Sequence, residues 1–91
     1  MKVIWKYEIT ENSKISIEMP KDAEILDVQV QDSVPCIWAL VEPKAEPISR
    51  MFEIFGTGHT MQDVPYKRKY IGTFQLSGDR LVYHLFEIVS N

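Results

Sequence analysis

The sequence predicts an all-β fold, with about seven mostly antiparallel strands forming a small sandwich or a partly closed barrel. Three observations lead there. Apolar residues recur with a period of two, as in Val3, Trp5, Tyr7 and Ile9 around Lys6 and Glu8, which is the pattern of a half-buried strand. No stretch combines a helical period with capping residues, and at most one short turn is expected after Thr60. Clusters of Pro, Gly, Asn, Asp and Ser punctuate the chain at short intervals, where turns need them. A lone sheet would leave one apolar face in water, so the strands must pack in two layers or close on themselves.

The first strand covers residues 3–9, and Glu11-Asn12-Ser13 turns the chain. Ile15, Ile17 and Met19 continue the alternation against Lys14, Ser16 and Glu18, so the first two strands fit an antiparallel hairpin. Pro20-Lys21-Asp22 interrupts the pattern, because proline cannot donate to a central ladder. Leu26, Val28 and Val30 alternate with Asp27, Gln29 and Gln31 in a third strand, and Asp32-Ser33 is a turn. Residues 36–41 are continuously apolar, as in a strand covered on both faces or facing a subunit contact. Two prolines make residues 43–47 a loop. Residues 49–55 form the fifth strand, with Phe52 and Ile54 on one face and Met51 and Phe55 on the other. An irregular segment runs from Gly56 to about Lys67. Tyr70, Phe74 and Leu76 mark the sixth strand, Ser77-Gly78-Asp79 a tight turn, and residues 81–88 the seventh. Joins are expected to be mostly hairpins. The seventh strand is apolar on both faces, which a dimer through it would explain, as would a central place in a sandwich.

Ninety-one residues suffice for one β-rich domain, residues 1–91, since domains cluster near about 100–150 residues. A net charge of −3 argues against a general nucleic-acid binder, which would carry a basic stripe. It leaves room for a small anionic ligand, which needs only a few placed cations. The lone cysteine, Cys36, cannot form an intrachain disulfide and suits a reducing compartment. No apolar run approaches the ~20 residues that span a bilayer, and the N-terminus turns polar too soon for a secretory signal. A cytoplasmic protein without membrane partners is expected.

The candidate site is Gly56-Thr57-Gly58-His59, which closes one strand and opens the irregular segment. Read as a ligand site, it is an anion-binding turn with exposed N–H groups, a hydroxyl and a switchable imidazole. Read structurally, it is a loop whose glycines relieve the backbone and whose histidine is at the surface. It lacks the lysine of a P-loop and the third glycine of a dinucleotide fingerprint. Lys67-Arg68-Lys69, flanked by Tyr66 and Tyr70, is the one cationic cluster. It suits a phosphate clamp with rings to stack on a base, or a solvated edge strand that resists aggregation.

Catalytic and metal chemistry find no pattern. His59, Asp63, His84 and Cys36 lack the paired spacing of metal ligands. Cys36, after Pro35 in an apolar strand, reads as a buried thiol. Ser77, Asp79 and His84 would point in unrelated directions from a hairpin. Trp5 and Trp38 fall on apolar faces and are expected in the core. The acidic residues, one or two per strand, read as a solvated face.

The succession Val28-Gln29-Val30-Gln31, Pro35-Cys36-Ile37-Trp38-Ala39-Leu40-Val41, Phe55-Gly56-Thr57-Gly58-His59, Tyr70-Ile71-Gly72-Thr73-Phe74-Gln75 and Leu81-Val82-Tyr83-His84-Leu85-Phe86 resembles a family of small, uncharacterised proteins encoded by phages and prophages. The resemblance covers nearly the whole chain and implies a genomic setting, with no catalytic residue and no cofactor to carry over. In that setting a stoichiometric binder is expected. One form sequesters a small nucleotide-type signal: Gly56, Thr57, Gly58 and His59 hold phosphates, Lys67 and Arg68 neutralise them, and Tyr66 or Tyr70 stacks on a base. The alternative is a protein–protein interaction module, either an inhibitor of a host protein or a small phage component. A third is a small nucleotide hydrolase with His59 as its acid or base.

Overall fold

The computed structural model describes residues 1–9, 13–76, 78 and 80–90. The turn positions expected at Glu11, Asn12, Ser77 and Asp79 lie outside them. The chain forms β1 (Val3–Glu8), β2 (Lys14–Pro20), β3 (Glu24–Gln31), β4 (Val34–Val41), β5 (Pro47–Gly56), β6 (Lys67–Gln75) and β7 (Val82–Ser90). Each strand coincides, within a residue or two, with a run of alternating or continuous apolar residues, except β6, which begins at Lys67, three residues before Tyr70, and takes in the cationic cluster. Among the described residues there is no helix, so none is long and apolar enough to cross a membrane.

The strands make two antiparallel sheets, β1-β4-β3 and β2-β5-β7-β6, and neither closes into a barrel. The Cα extents of 40 × 35 × 16 Å have a short axis that admits two layers packed about 10 Å apart. β3 lies against β6 at one side of the sandwich. Gly72 makes that approach possible, because a Cβ there would meet Val28 Cγ1 at 2.7 Å.

The expected hairpin of the first two strands does not form. β1 pairs with β4 and β2 with β5, in different sheets. Ile9 explains the divergence: its N–H donates to Pro35 O at 2.9 Å, its side chain is buried, and the chain then passes to the other layer. Three of the six joins cross between sheets, β1 to β2, β2 to β3 and β4 to β5. Only β3–β4 and β6–β7 pair with their immediate successors. The β3–β4 turn has two central residues, Asp32 and Ser33, with φ of 51° and 67°, the conformation that fits the twist of a two-residue hairpin. Pro35 is tolerated in the central strand because it lies one position beyond the last β1 pair, Glu8–Cys36.

The core joins Ile15 and Met19 of β2, Val28 of β3, Ile37, Ala39 and Val41 of β4, Phe52 of β5, Phe74 of β6 and Leu85 of β7. Phe52 and Ile54 face inward while Met51 and Phe55 face outward, as the alternation implies. β7 lies between β5 and β6; Leu85 faces the core, and Phe86, on the other face, packs against Phe55 and Tyr70. Cys36 is a buried free thiol.

Two expectations about burial fail. Neither tryptophan joins the core: Trp5 is 40% exposed and Trp38 lies half-buried on the outer face of its sheet. β1 is an edge strand that packs extensively only on β4, which leaves Trp5 open, and Trp38 is out of phase with the inward Ile37, Ala39 and Val41. Nor are the acidic residues all solvated, since Glu53 and Glu87 are buried.

Glu87 faces inward from β7. Arg50 Nε donates to its Oε2 at 2.6 Å and Nη2 to its Oε1 at 2.9 Å, while Nη1 donates to Ala23 O at 2.6 Å. One guanidinium thus ties β5, β7 and the β2–β3 corner together. Nearby, the Tyr7 hydroxyl is the one buried side-chain polar atom without a partner among the described residues. Burial pushes its pKa up, and the charge of Arg50 opposes the shift.

Candidate functional site

The sequence-predicted residues lie at the end of the larger sheet where residues 57–66 leave β5 and return as β6, with Thr57, Arg68 and Tyr70 on its outer face and His59 over Gly56 on the side that Phe52 and Ile54 face. Gly56 ends β5 beneath the His59 ring; a Cβ there would lie 2.8 Å from His59 Cε1. Thr57 N–H donates to Val82 O at 2.8 Å, and His59 N–H to Gly56 O at 3.0 Å. Gly58, with φ of 88°, completes the turn. Two of the N–H groups expected to line an anion nest are therefore engaged within the chain, and what the segment presents outward is side chains.

The cationic cluster is divided. Arg68 lies on the outer face opposite Ile88, whereas Lys69 pairs with Glu87 and faces the other way. Lys67 is exposed at the start of β6. Arg68 and Tyr66 both serve Glu53: Arg68 Nε donates to Oε1 at 2.8 Å and Tyr66 Oη to Oε2 at 2.8 Å. Arg68 Nη1 also donates to Gln62 O at 3.2 Å, so the guanidinium holds the long loop against the sheet. Its plane covers the Phe55 ring, 5.0 Å from the centroid, and Tyr66 receives Lys14 at 5.3 Å, both favourable cation–π placements.

The electrostatics follow from these contacts. Burial alone would raise the Glu53 pKa, but hydrogen bonds from Arg68 and Tyr66 and the Arg68 charge outweigh it and hold the carboxyl below its ordinary value. The hydrogen bond to Glu53 pushes the Tyr66 phenol upward, and the same carboxylate raises Arg68.

Beside this clamp runs a second polar system centred on His84, half-buried on β7. His84 Nε2 lies 2.7 Å from Thr57 Oγ1, and Nδ1 lies 3.0 Å from Thr73 Oγ1. Thr73 Oγ1 also meets the Tyr70 hydroxyl. Proton counting assigns the directions. Thr57 gives its single hydroxyl proton to Val82 O at 3.1 Å, so it accepts from His84 Nε2–H. Neutral His84 then accepts at Nδ1 from Thr73, which accepts from Tyr70. The chain of donors runs from Tyr70 through Thr73, His84 and Thr57 to the β7 backbone. Tyr70 also packs edge-on against Phe86 at 5.5 Å, and Phe86 against Phe55 at 5.9 Å.

Thus Thr57 and Tyr70 meet in one network and Tyr66 and Arg68 in another, while His59 packs over Gly56 and joins neither network among the described residues. Sequence reasoning missed Glu53, Thr73 and His84. The period of two offered a signal for His84, because it shares a face with Phe86 and Ile88, and for Glu53, a carboxylate between Phe52 and Ile54.

Among the described residues no three His, Cys, Asp or Glu side chains come together as a metal-binding group. A separate cleft of about 350 Å³ lies between β3 and β6, lined by Asp22, Glu24, Arg50, Lys69 and Glu87 with Ile25, Leu26 and Ile71.

Fold and site together define a two-sheet antiparallel β-sandwich with a polar and aromatic surface on the outer face of its larger sheet. The chain belongs to the family described as Domain of unknown function (DUF7352), which matches it over residues 1–91. Neither a curated protein nor a solved structure matches the chain.

Proposed function

We propose that this is a non-enzymatic binding protein that holds a small anionic, nucleotide-type ligand on the outer face of β6 and β7, at the end capped by residues 57–66. The observation that carries the reading is the ordered donor chain Tyr70–Thr73–His84–Thr57 beside an aromatic surface. Its hydroxyl oxygens keep lone pairs that suit the edge of a base or a sugar, and His84, with both ring nitrogens engaged, holds Thr57 and Thr73 in place for them. Tyr70, 54% exposed, offers a ring for stacking, and exposed His59 and Lys67 suit phosphate. Both imidazole nitrogens of His84 meet hydroxyls and neither meets a carboxylate, which favours holding a ligand over turning it over. The β3–β6 cleft suits an anion less well. Three carboxylates line it against Lys69 and Arg50, and Arg50 is already engaged by Glu87 and Ala23.

The resemblance to phage-encoded proteins supports a counter-defence role, in which the protein sequesters a nucleotide signal in the host cytoplasm. A second reading, an interaction module directed at a host protein or a small phage component, draws on the exposed Val3, Ile4 and Trp5 of β1. A thermal-shift series with cyclic and linear nucleotides and ADP-ribose derivatives separates the two. The ligand-binding reading expects a stabilisation that saturates with one ligand, is lost in His84→Ala and is weakened in His59→Ala. A flat response across the panel contradicts it and favours the interaction module.

A further inference from the structure

The four sheet edges are not equally protected. β3 carries a register break between Ile25 and Asp27, and β6 carries breaks at Lys67/Arg68 and Tyr70/Gly72. β2 ends in Pro20 and buries Ile15 and Met19. Bulges and prolines are devices that stop an edge from pairing. β1 has neither: its six pairs with β4 are unbroken. Its Val3, Ile4 and Trp5 are 38%, 59% and 40% exposed, while Val41 and Ala39, opposite Val3 and Trp5, are fully buried. β4 is the only described element on which it packs extensively.

The ladder fixes which β1 groups are free. Ile9 N–H bonds Pro35 O, so the odd residues Val3, Trp5 and Tyr7 bond to β4 and the even residues turn their N–H and C=O outward. A second β1 strand pairing antiparallel must therefore place even residues opposite even residues. One such register puts Lys2 opposite Lys6, and the next puts Lys6 opposite its own copy; like charges directly opposite oppose pairing. The register between them centres on Trp5. It sets Lys2 opposite Glu8 twice, Ile4 opposite Lys6, and Val3 opposite Tyr7 on the inner face. A register centred on Tyr7 would pair fewer residues, because the chain leaves the strand after Glu8. Neither Lys2 nor Glu8 has an ion pair with any described residue.

We propose that two copies of this chain associate through their β1 edges, with Trp5 at the two-fold axis and Lys2 of each copy opposite Glu8 of the other, making one continuous six-stranded sheet. The interface is isologous, as two-fold symmetry requires. The test is sedimentation velocity of the untagged protein over a concentration series, for wild type, Lys2→Glu, Glu8→Lys and the double exchange. Wild type should show a monomer–dimer equilibrium. Each single reversal should weaken it about tenfold, from two cross-strand pairs turned repulsive, and the double exchange should restore it. A wild type that stays monomeric to millimolar concentration overturns the proposal. So does a dimer indifferent to both reversals. Circular dichroism of each variant confirms that the monomer fold is intact, since both positions are exposed.

Discussion

Glu87 and Glu53 lie on neighbouring strands of one sheet, both are buried, and each is held by an arginine. They point to opposite faces, and that direction decides what each pair does. The inner pair, Glu87 with Arg50, sits between the layers and reaches the β2–β3 corner through Ala23 O. The outer pair, Glu53 with Arg68, sits under a surface loop and reaches Gln62 O. One joins the scaffold, and the other shapes what the scaffold presents. The same chemistry therefore supports the fold on one face and the candidate site on the other.

The strongest way to break the comparison is Glu87→Ala. Removing one partner of a buried pair leaves Arg50 desolvated and unpaired, at a cost of about 3 kcal/mol, or roughly 10–20 °C in a chain of this size. Thermal unfolding checks it. Glu53→Ala should cost less, about 1 kcal/mol, because a surface loop and not a second sheet covers that pair, and Arg68 can regain water when the loop moves aside. Its signature is local: hydrogen exchange should quicken at the His59 amide, which bonds to Gly56 O, while exchange in β4 is little changed. Equal losses from the two substitutions would erase the distinction between the pairs.

Acid sharpens it further. The folded Glu53 carboxyl titrates below its ordinary value of 4.5, so the unfolded chain takes up that proton first as pH falls. Its stabilisation is complete above about 4.5 and disappears as pH drops through the folded value. Denaturant midpoints of wild type and Glu53→Ala should therefore converge in acid. The smallest effect is expected at Tyr7. Its buried hydroxyl has no partner among the described residues, so Tyr7→Phe should leave the Arg50 pair intact and raise stability by up to about 1 kcal/mol; the urea midpoint checks it.

The sequence marked the strands well because every β-strand here alternates faces or is apolar throughout. It also marked the irregular loop and Thr57 and Tyr70 within the candidate surface. Pairing was not legible. Alternation says which side of a strand is buried, not which strand lies beside it, so β1 and β2 read as a hairpin although Ile9 carries the chain to the other layer. Glu53 and Glu87 read as solvated because a carboxylate looks the same in a strand whether an arginine 15 or 37 residues away covers it or water does. The role of His84 was not legible for a related reason: its hydroxyl partners come from residues 57 and 73, which only sheet order brings together.

The most direct test is a nuclear magnetic resonance titration of labelled protein with the nucleotide that gives the largest thermal shift. Binding on the outer face should move the His84 imidazole resonances and the amides of Thr57, Tyr70 and Thr73, and leave the Arg50 side chain and the Ala23 amide unchanged. Shifts concentrated at Arg50, Lys69 and Ala23 would place the ligand in the β3–β6 cleft and contradict the account.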